Sequence, residues 1–173
     1  MAYLDVDSLD DDTENSVFYN LTSAVGYGQK NMTEDVKVVQ FFLTRFYSVP
    51  RMQSKKPFGA MTIDGKVGPI TRNWIVKTQL VAQSSGNQIL VDGIVDPAGN
   101  AMGGKWRGGI SGTTYIIRMI NAFLRTNDTA VYQTLTVNPE VPGDVRLIFQ
   151  QIQASGPPVS PSTNPGMSLP GEL

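Results

Sequence analysis

Apolar residues recur at the spacing of an α-helix in four stretches of the chain. The first stretch begins near Thr33, where a threonine followed by Glu34 and Asp35 is typical of a helix N-cap and first turn. Pro50 ends it. This pattern predicts a helix over about residues 33–47. Its apolar positions lie on one face: Val36, Val39, Phe42, Leu43 and Phe46.

Three further helices are predicted from the same periodicity. The second begins near Thr71, the third has Thr113 or Ser111 as its cap, and a short fourth helix opens at Gly143. Residues 127–137 fit either an extended segment or a continuation of the third helix. The inward positions are Trp74, Ile75, Thr78 and Val81 in the second helix; Tyr115, Ile116, Met119, Ile120, Phe123 and Leu124 in the third; and Val145, Ile148, Phe149 and Ile152 in the fourth.

Two Asp-Gly pairs between the helices repeat one pattern. The sequence Ile-Asp-Gly-Lys-Val at 63–67 recurs 28 residues later as Val-Asp-Gly-Ile-Val at 91–95. Asp-Gly suits a turn because glycine tolerates positive φ and aspartate bonds its own backbone. A repeat of this kind indicates two copies of one structural unit. A short strand-like piece around Met61 and Ile63 is compatible with the alternation there.

The two ends of the chain differ from its middle. Residues 1–20 contain six acids and no basic residue, and the apolar anchors over 17–21 could pack on the body or on a neighbour. We therefore predict an acidic arm over residues 1–24. Five prolines fall within residues 155–173, which excludes a helix or a central strand. That segment is predicted to be a disordered tail or an extended strap on a partner.

The amino-acid composition narrows the range of catalytic and metal sites that the chain can form. The chain has 173 residues with no Cys and no His. Zinc sites are built mainly from these residues, and Ser-His or Cys-His nucleophile pairs need the histidine. We therefore expect no catalytic residue, no metal site and no cofactor. The net charge is −1, and the basic residues are too dilute along the chain to predict nucleic-acid binding.

Targeting signals give a further expectation. The N-terminal residues lack the basic and apolar regions of a secretory signal. No apolar run approaches the roughly 20 residues that a membrane-spanning helix needs. The sequence thus predicts a chain made in the cytoplasm without a signal peptide and without a membrane span.

The order of these motifs resembles the peptidoglycan-binding-like domain family, in the stand-alone form found in phage and contractile injection system proteins. The resemblance covers about residues 25–126. Two features depart from the family pattern: Trp74 stands where a small residue is usual, and the loop over 98–112 is longer than common. The matching residues are Val25, Gly26, Gly28, Asn31, Asp35, Val36, Val39, Gln40, Leu43, Asp64, Gly65, Gly68, Thr71, Gln79, Asp92, Gly93, Val95, Asp96 and Pro97.

The resemblance implies a mainly α fold, a compact three-helix bundle with Asp-Gly loops. To this the sequence adds an extra C-terminal helix and extended N- and C-terminal arms. The expected organisation is an acidic arm at 1–24, the helical domain at 25–126, an extension with a short helix at 127–154, and a Pro-rich tail at 155–173.

Two functions fit this organisation. The favoured one is a non-catalytic structural or adaptor subunit of a phage tail or contractile injection particle, whose arms strap onto neighbouring protein subunits. Ordering such arms costs about 1–2 kcal/mol per residue, which is more easily repaid against a partner than in a monomer. The alternative is a cell-wall module that binds peptidoglycan and anchors a partner. A wall hydrolase is rejected because His, Cys and a placed carboxylate pair are missing.

Candidate binding residues are aromatic or basic and lie near loops. Lys105, Trp106 and Arg107 lie in a Gly-rich loop and suit sugar stacking or protein docking, unless Trp106 folds back onto the core. Tyr27 and Tyr115 are further candidates, with core packing as the more ordinary interpretation. The residues expected to shape the loops are Asp64, Gly65, Gly68, Thr71, Asp92 and Gly93.

Overall fold

The fold, in a computed structural model of the chain, is described over residues 2–7, 16–99 and 114–156. Helices dominate the described residues, which also contain two antiparallel sheets of two strands each, and the second sheet joins segments distant in sequence. The strands are β1 (Tyr3–Asp7), β2 (Ser16–Asn20), β3 (Val25–Gly26) and β4 (Ile94–Val95). The helices are α1 (Thr33–Ser48), α2 (Pro50–Gln53), α3 (Pro69–Ser84), α4 (Ile116–Asn127), α5 (Thr129–Tyr132) and α6 (Gly143–Ser155).

Helix α1 is the centre of the molecule. It packs against α3, α4 and α6, so its buried surface is wider than the predicted stripe. A helix that is apolar on several sides is typical of a core position. The additional buried apolar residues are Val38, Phe41 and Tyr47. The predicted mainly α class is confirmed, and the three principal helical segments share one hydrophobic core.

The N-terminal segment is not an extended arm where the structure describes it. Strands β1 and β2 pair as an antiparallel hairpin, with Leu4 opposite Tyr19. Phe18, Tyr19 and Leu21 are buried in the helical core. The arm prediction over residues 1–24 is therefore wrong for these strands. The alternation of apolar and acidic residues over 3–7 was the period-2 signal for a strand.

Side-chain amides attach this hairpin to the helices. The Asn121 Nδ2 atom donates to the Tyr19 carbonyl, and the Tyr19 N–H donates to Asn121 Oδ1, both at 3.0 Å. The Asn121 side chain thus makes the two hydrogen bonds to the Tyr19 backbone that a neighbouring strand would otherwise make. On the other side, buried Asn20 donates to the Ala98 carbonyl at 2.7 Å and accepts from the Ala98 N–H at 2.9 Å. Two asparagines therefore fix the hairpin between α4 and the segment that follows β4.

The C-terminal extension belongs to the same core. Phe149 of α6 stacks on Phe42 with ring centroids 5.7 Å apart, and the Tyr19 ring meets its edge at 4.8 Å. Residues 127–137 contain the short helix α5 rather than a strand, and Val131 and Leu135 are buried there. The four inward positions predicted for the last helix are buried as expected.

Helix starts differ slightly from the predictions. Met32 rather than Thr33 is the N-cap of α1, and Tyr115 is the N-cap of α4; neither makes a side-chain capping bond. The predicted caps Thr113 and Ser111 lie outside the described residues. Residues 61–63 form no strand. In the ranges that the structure describes, no helix has the length and hydropathy needed to cross a bilayer.

Candidate functional site

The two Asp-Gly turns are each held by a buried glutamine. Gln40 of α1 donates from Nε2 to Asp64 Oδ1 at 2.9 Å and accepts the Gly65 N–H on Oε1 at 2.9 Å. The same nitrogen also contacts the Lys66 carbonyl at 3.0 Å. The Lys66 N–H in turn donates to Asp64 Oδ1 at 2.9 Å. We call this set the first clip.

The second clip has the same construction. Gln79 of α3 donates from Nε2 to Asp92 Oδ1 at 2.9 Å and to the Ile94 carbonyl at 2.8 Å. Its Oε1 accepts the Gly93 N–H at 2.9 Å. The Ile94 N–H donates to Asp92 Oδ1 at 2.9 Å. The repeat seen in the sequence therefore corresponds to a repeated three-dimensional unit, with one glutamine per turn.

The turns place both glycines in the left-handed region of backbone space. Gly65 has φ of 73° and Gly93 has φ of 78°. Residues with a Cβ adopt these angles only at a cost of roughly 1–2 kcal/mol. The glycines are therefore required by the backbone. Thr71 also belongs to the first clip, since Gln40 Nε2 lies 3.2 Å from its hydroxyl. Gly68 is the N-cap residue of α3.

A groove of about 580 Å³ opens beside the second clip. Ligand clefts have volumes of roughly 300–1,000 Å³, so this groove can hold a side chain or a small ligand. One wall comes from the segment around β4 and the other from the start of α4. Among the residues that the structure describes, the lining consists of Gln79, Ile89, Leu90, Asp92, Ile94, Asp96, Pro97, Thr114, Tyr115 and Ile116.

Backbone contacts hold the two walls together. The Thr114 N–H donates to the Gln88 carbonyl at 2.6 Å. Strand β4 is fixed from behind by its antiparallel pairing with β3, in which Gly26 lies opposite Ile94. Gly99 and Tyr115 also face each other, because a Cβ built on Gly99 would lie 3.3 Å from the Tyr115 hydroxyl. The groove is therefore bounded on both sides by anchored backbone.

The groove combines apolar walls with negative charge. Among its apolar lining residues, Leu90 is 64% exposed, while Ile89 and Ile116 are buried. Partial burial raises the pKa of Asp96 above its ordinary value, and the nearby Asp92 carboxylate raises it further. Asp96 makes no hydrogen bond or ion pair to any described residue. A cationic group that enters the groove would relieve this repulsion.

Of the predicted binding residues, the structure describes Tyr27 and Tyr115, and only Tyr115 lines the groove. Tyr115 is half-buried and lines the groove. Tyr27 is 79% exposed, so its ordinary interpretation as a core residue is wrong. Its ring centre lies 5.7 Å from the Arg72 guanidinium, and Tyr27 is not among the groove-lining residues. Lys105, Trp106 and Arg107 lie outside the described residues.

Several groove residues were not singled out as binding candidates from the sequence. Leu90 is one of several exposed leucines, and Asp96 and Pro97 were identified only as part of a family-like turn. Their role depends on the approach of residue 114, which the sequence gives no means to place. The one available signal was the proximity of Asp92 and Asp96 in sequence, without a basic residue between them.

The side chains of this arrangement are suited to bind a ligand. Carboxylates, an aromatic hydroxyl and apolar walls can hold a cation, a glycan hydroxyl or a side chain. In the portions of the chain described by the structure, no three His, Cys, Asp or Glu side chains are grouped to hold a metal ion. Comparisons of the chain with protein-family models, with curated proteins and with solved structures found no match.

Proposed function

We propose that this chain is a non-catalytic structural or adaptor subunit of a larger protein particle, of the phage-tail or contractile-injection kind, and that it contacts a neighbouring subunit through the groove. The observation that carries the proposal is the groove itself. It joins exposed Leu90 and half-buried Tyr115 to Asp96, which has no partner among the described residues. Aromatic and apolar side chains are typical anchors at the centre of protein interfaces, and charged groups lie at the rim.

The stability of the groove walls supports this role. Both walls are fixed by hydrogen bonds, at Gln79 on one side and between Thr114 and Gln88 on the other. A rigid surface loses little conformational entropy when a partner docks. The resemblance of the helix and turn order to domains in such particles supports the same proposal.

Cell-wall binding is the second candidate, and Tyr115 is the observation that favours it. An aromatic ring beside two carboxylates and apolar walls suits a peptidoglycan strand, whose sugars stack on rings and whose stem peptides carry charged groups. Under this alternative the groove binds the wall and the remaining surface carries a partner.

The proposal can be tested in the native host with a chain that carries an affinity tag. We expect the chain to sediment with a large particle, to be present at a fixed stoichiometry, and to be visible within repeated features by electron microscopy. The Asp96→Lys variant should weaken that incorporation, and truncation after Gly156 tests the strap predicted for the tail.

The control and the contrary outcomes are direct. Leu147→Ala removes an exposed apolar side chain from α6, away from the groove, and should be incorporated like the wild type. A chain recovered only as a free protein would contradict the particle role. Retention on purified sacculi that is lost in Asp96→Lys and kept in Leu147→Ala would favour wall binding instead.

A further inference from the structure

An exposed aromatic residue is held rigidly on the surface at the start of α3. Phe58 is 96% exposed, although its neighbours are fixed: Pro57 is buried, and the Gly59 carbonyl accepts the indole N–H of buried Trp74 at 3.2 Å. A large apolar side chain on an anchored backbone contributes nothing to the core of its own chain. It is a preformed protrusion that a partner can bury at little entropic cost.

Two cations accompany this aromatic side chain. Lys55 and Lys56 are exposed, and neither forms an ion pair with a described residue. The Lys56 ammonium lies 5.6 Å from the centre of the Trp74 ring, and the indole of Trp74 also donates to the Gly59 carbonyl next to Phe58. We define Lys55, Lys56 and Phe58 as the knob.

The knob and the groove are complementary. The knob presents one apolar ring and two positive charges, whereas the groove presents apolar walls and the carboxylates of Asp92 and Asp96. Opposite charge on facing surfaces steers association and fixes its register. The volume of the groove, about 580 Å³, is ample for a phenyl ring together with a lysine end.

The two surfaces lie on different parts of one chain. The knob lies next to Ile70, since a Cβ on Gly59 would meet the Ile70 side chain at 3.6 Å. The groove includes Gln79, nine residues further along the same helix. At 1.5 Å rise per residue this is about 13 Å along α3, so a knob that enters a groove joins two distinct patches.

We propose that the partner which docks in the groove is a second copy of this chain, whose knob enters it, so that copies associate head to tail. This inference rests on the proposed function, because it names the neighbour that the groove contacts. A contact between two different patches leaves a free knob and a free groove at the ends of each assembly. Such contacts propagate into rings or fibres rather than stopping at a pair.

Sedimentation velocity of the purified full chain tests the proposal. We expect the wild type to form dimers and larger species as its concentration rises, and less so at high ionic strength. Phe58→Ala and Asp96→Lys should each reduce the association constant by about tenfold or more. The control Leu147→Ala, which removes an exposed apolar side chain from α6 that is not part of the knob or the groove lining, should associate like the wild type.

Mixing the two variants distinguishes a head-to-tail contact from other associations. Phe58→Ala keeps a working groove, and Asp96→Lys keeps a working knob. In an equimolar mixture, the knob of the Asp96→Lys variant can enter the groove of the Phe58→Ala variant. Each such pair then has no working knob or groove left, so dimers but no larger species should form. Circular dichroism should show unchanged folding, because Phe58 is solvent-exposed and Asp96 has no partner among the described residues.

Two results would overturn the inference. One is a wild type that stays monomeric up to about 0.5 mM, a concentration at which even contacts of about 4–5 kcal/mol populate dimers. The other is an assembly that is unaffected by either variant. Neither result would contradict the proposed role in a particle, because a chain that does not bind itself can still sediment with other subunits in its host.

Discussion

The two clips have the same hydrogen bonds but different surroundings. The first turn lies against α1, where its glycine is close to the backbone and side chain of Thr33. The second turn leads into β4, which pairs with β3 and forms one wall of the groove. The first clip borders a recess of about 220 Å³, whereas the second borders the larger groove of about 580 Å³ that we propose as a docking surface. The hydrogen-bond pattern is the same in both clips, so only the residues packed around each clip distinguish their surroundings.

The first prediction compares the space around Gly65 with that around Gly93. It has the largest expected effect on the free energy of unfolding. A Cβ on Gly65 would lie 2.6 Å from Thr33 Cγ2 and 3.2 Å from the Thr33 carbonyl oxygen. The three atoms nearest to a Cβ on Gly93 all belong to the side chains of Val76 and Arg72, at 3.2–3.4 Å. Both substitutions also carry the cost of positive φ.

We therefore expect Gly65→Ala to lower the free energy of unfolding by about 2–4 kcal/mol and Gly93→Ala by about 1–2 kcal/mol. Urea unfolding followed by circular dichroism measures both values. Equal losses, or a larger loss at Gly93, would show that the first turn is not the tighter of the two.

The second prediction concerns the buried amides. Gln40→Ala and Gln79→Ala each remove a side chain that satisfies a glycine N–H and a backbone carbonyl. Unsatisfied buried polar groups cost about 1–3 kcal/mol, so we expect a loss in that range for each variant.

The control is Gln53→Ala, which removes an exposed bond to the Ser48 carbonyl and should cost less than about 0.5 kcal/mol. Gln79→Ala should also weaken whatever the groove binds, because Gln79 lines it, whereas Gln40→Ala should not. If both variants weakened binding equally, the claim that only the second clip forms part of the binding groove would be contradicted.

The helices and the corners could be predicted from the sequence. Apolar spacing located α1, α3, α4 and α6, and the Asp-Gly repeat located both turns. The pairing of Gln40 with Asp64 and of Gln79 with Asp92 could not be derived from spacing alone, since 24 and 13 residues separate the partners.

The N-terminal hairpin and the groove were harder to predict. Acids at alternate positions of β1 indicate solvent, yet Asp5 is buried and accepts a hydrogen bond from Asn20 at 3.0 Å. The groove forms where residues 89–97 meet residues 114–116, and no local pattern specifies that meeting. Phe58 gave no signal either, because a lone phenylalanine in a loop is usually buried.

The third prediction has the smallest expected effect on stability. It compares the carboxylate of Asp64 in the first clip with that of Asp96 in the groove. The hydrogen bond from Gln40, helped by the Lys66 N–H, lowers the pKa of Asp64 below its ordinary value of 3.8. Asp64 therefore contributes stability above that value, and the contribution is lost as pH falls through the folded-state pKa. Burial beside Asp92 raises the pKa of Asp96, so its ionisation opposes folding as pH rises through the raised value.

Asn substitutions should accordingly act in opposite directions. Asp64→Asn should lower stability at pH 7 and have less effect near pH 3, while Asp96→Asn should raise stability at pH 7 and lose that advantage in acid. Thermal melts between pH 3 and pH 7 measure both. Parallel pH profiles for the two variants would contradict the assigned environments.

Site-resolved amide hydrogen exchange tests most directly whether each turn depends on its own glutamine. In the wild type, the Gly65 and Gly93 amides should exchange slowly, because each donates to a buried side-chain oxygen. Gln40→Ala should accelerate Gly65 alone, and Gln79→Ala should accelerate Gly93 alone. Fast exchange of both glycines in the wild type, or acceleration of both by either variant, would contradict the two-clip account.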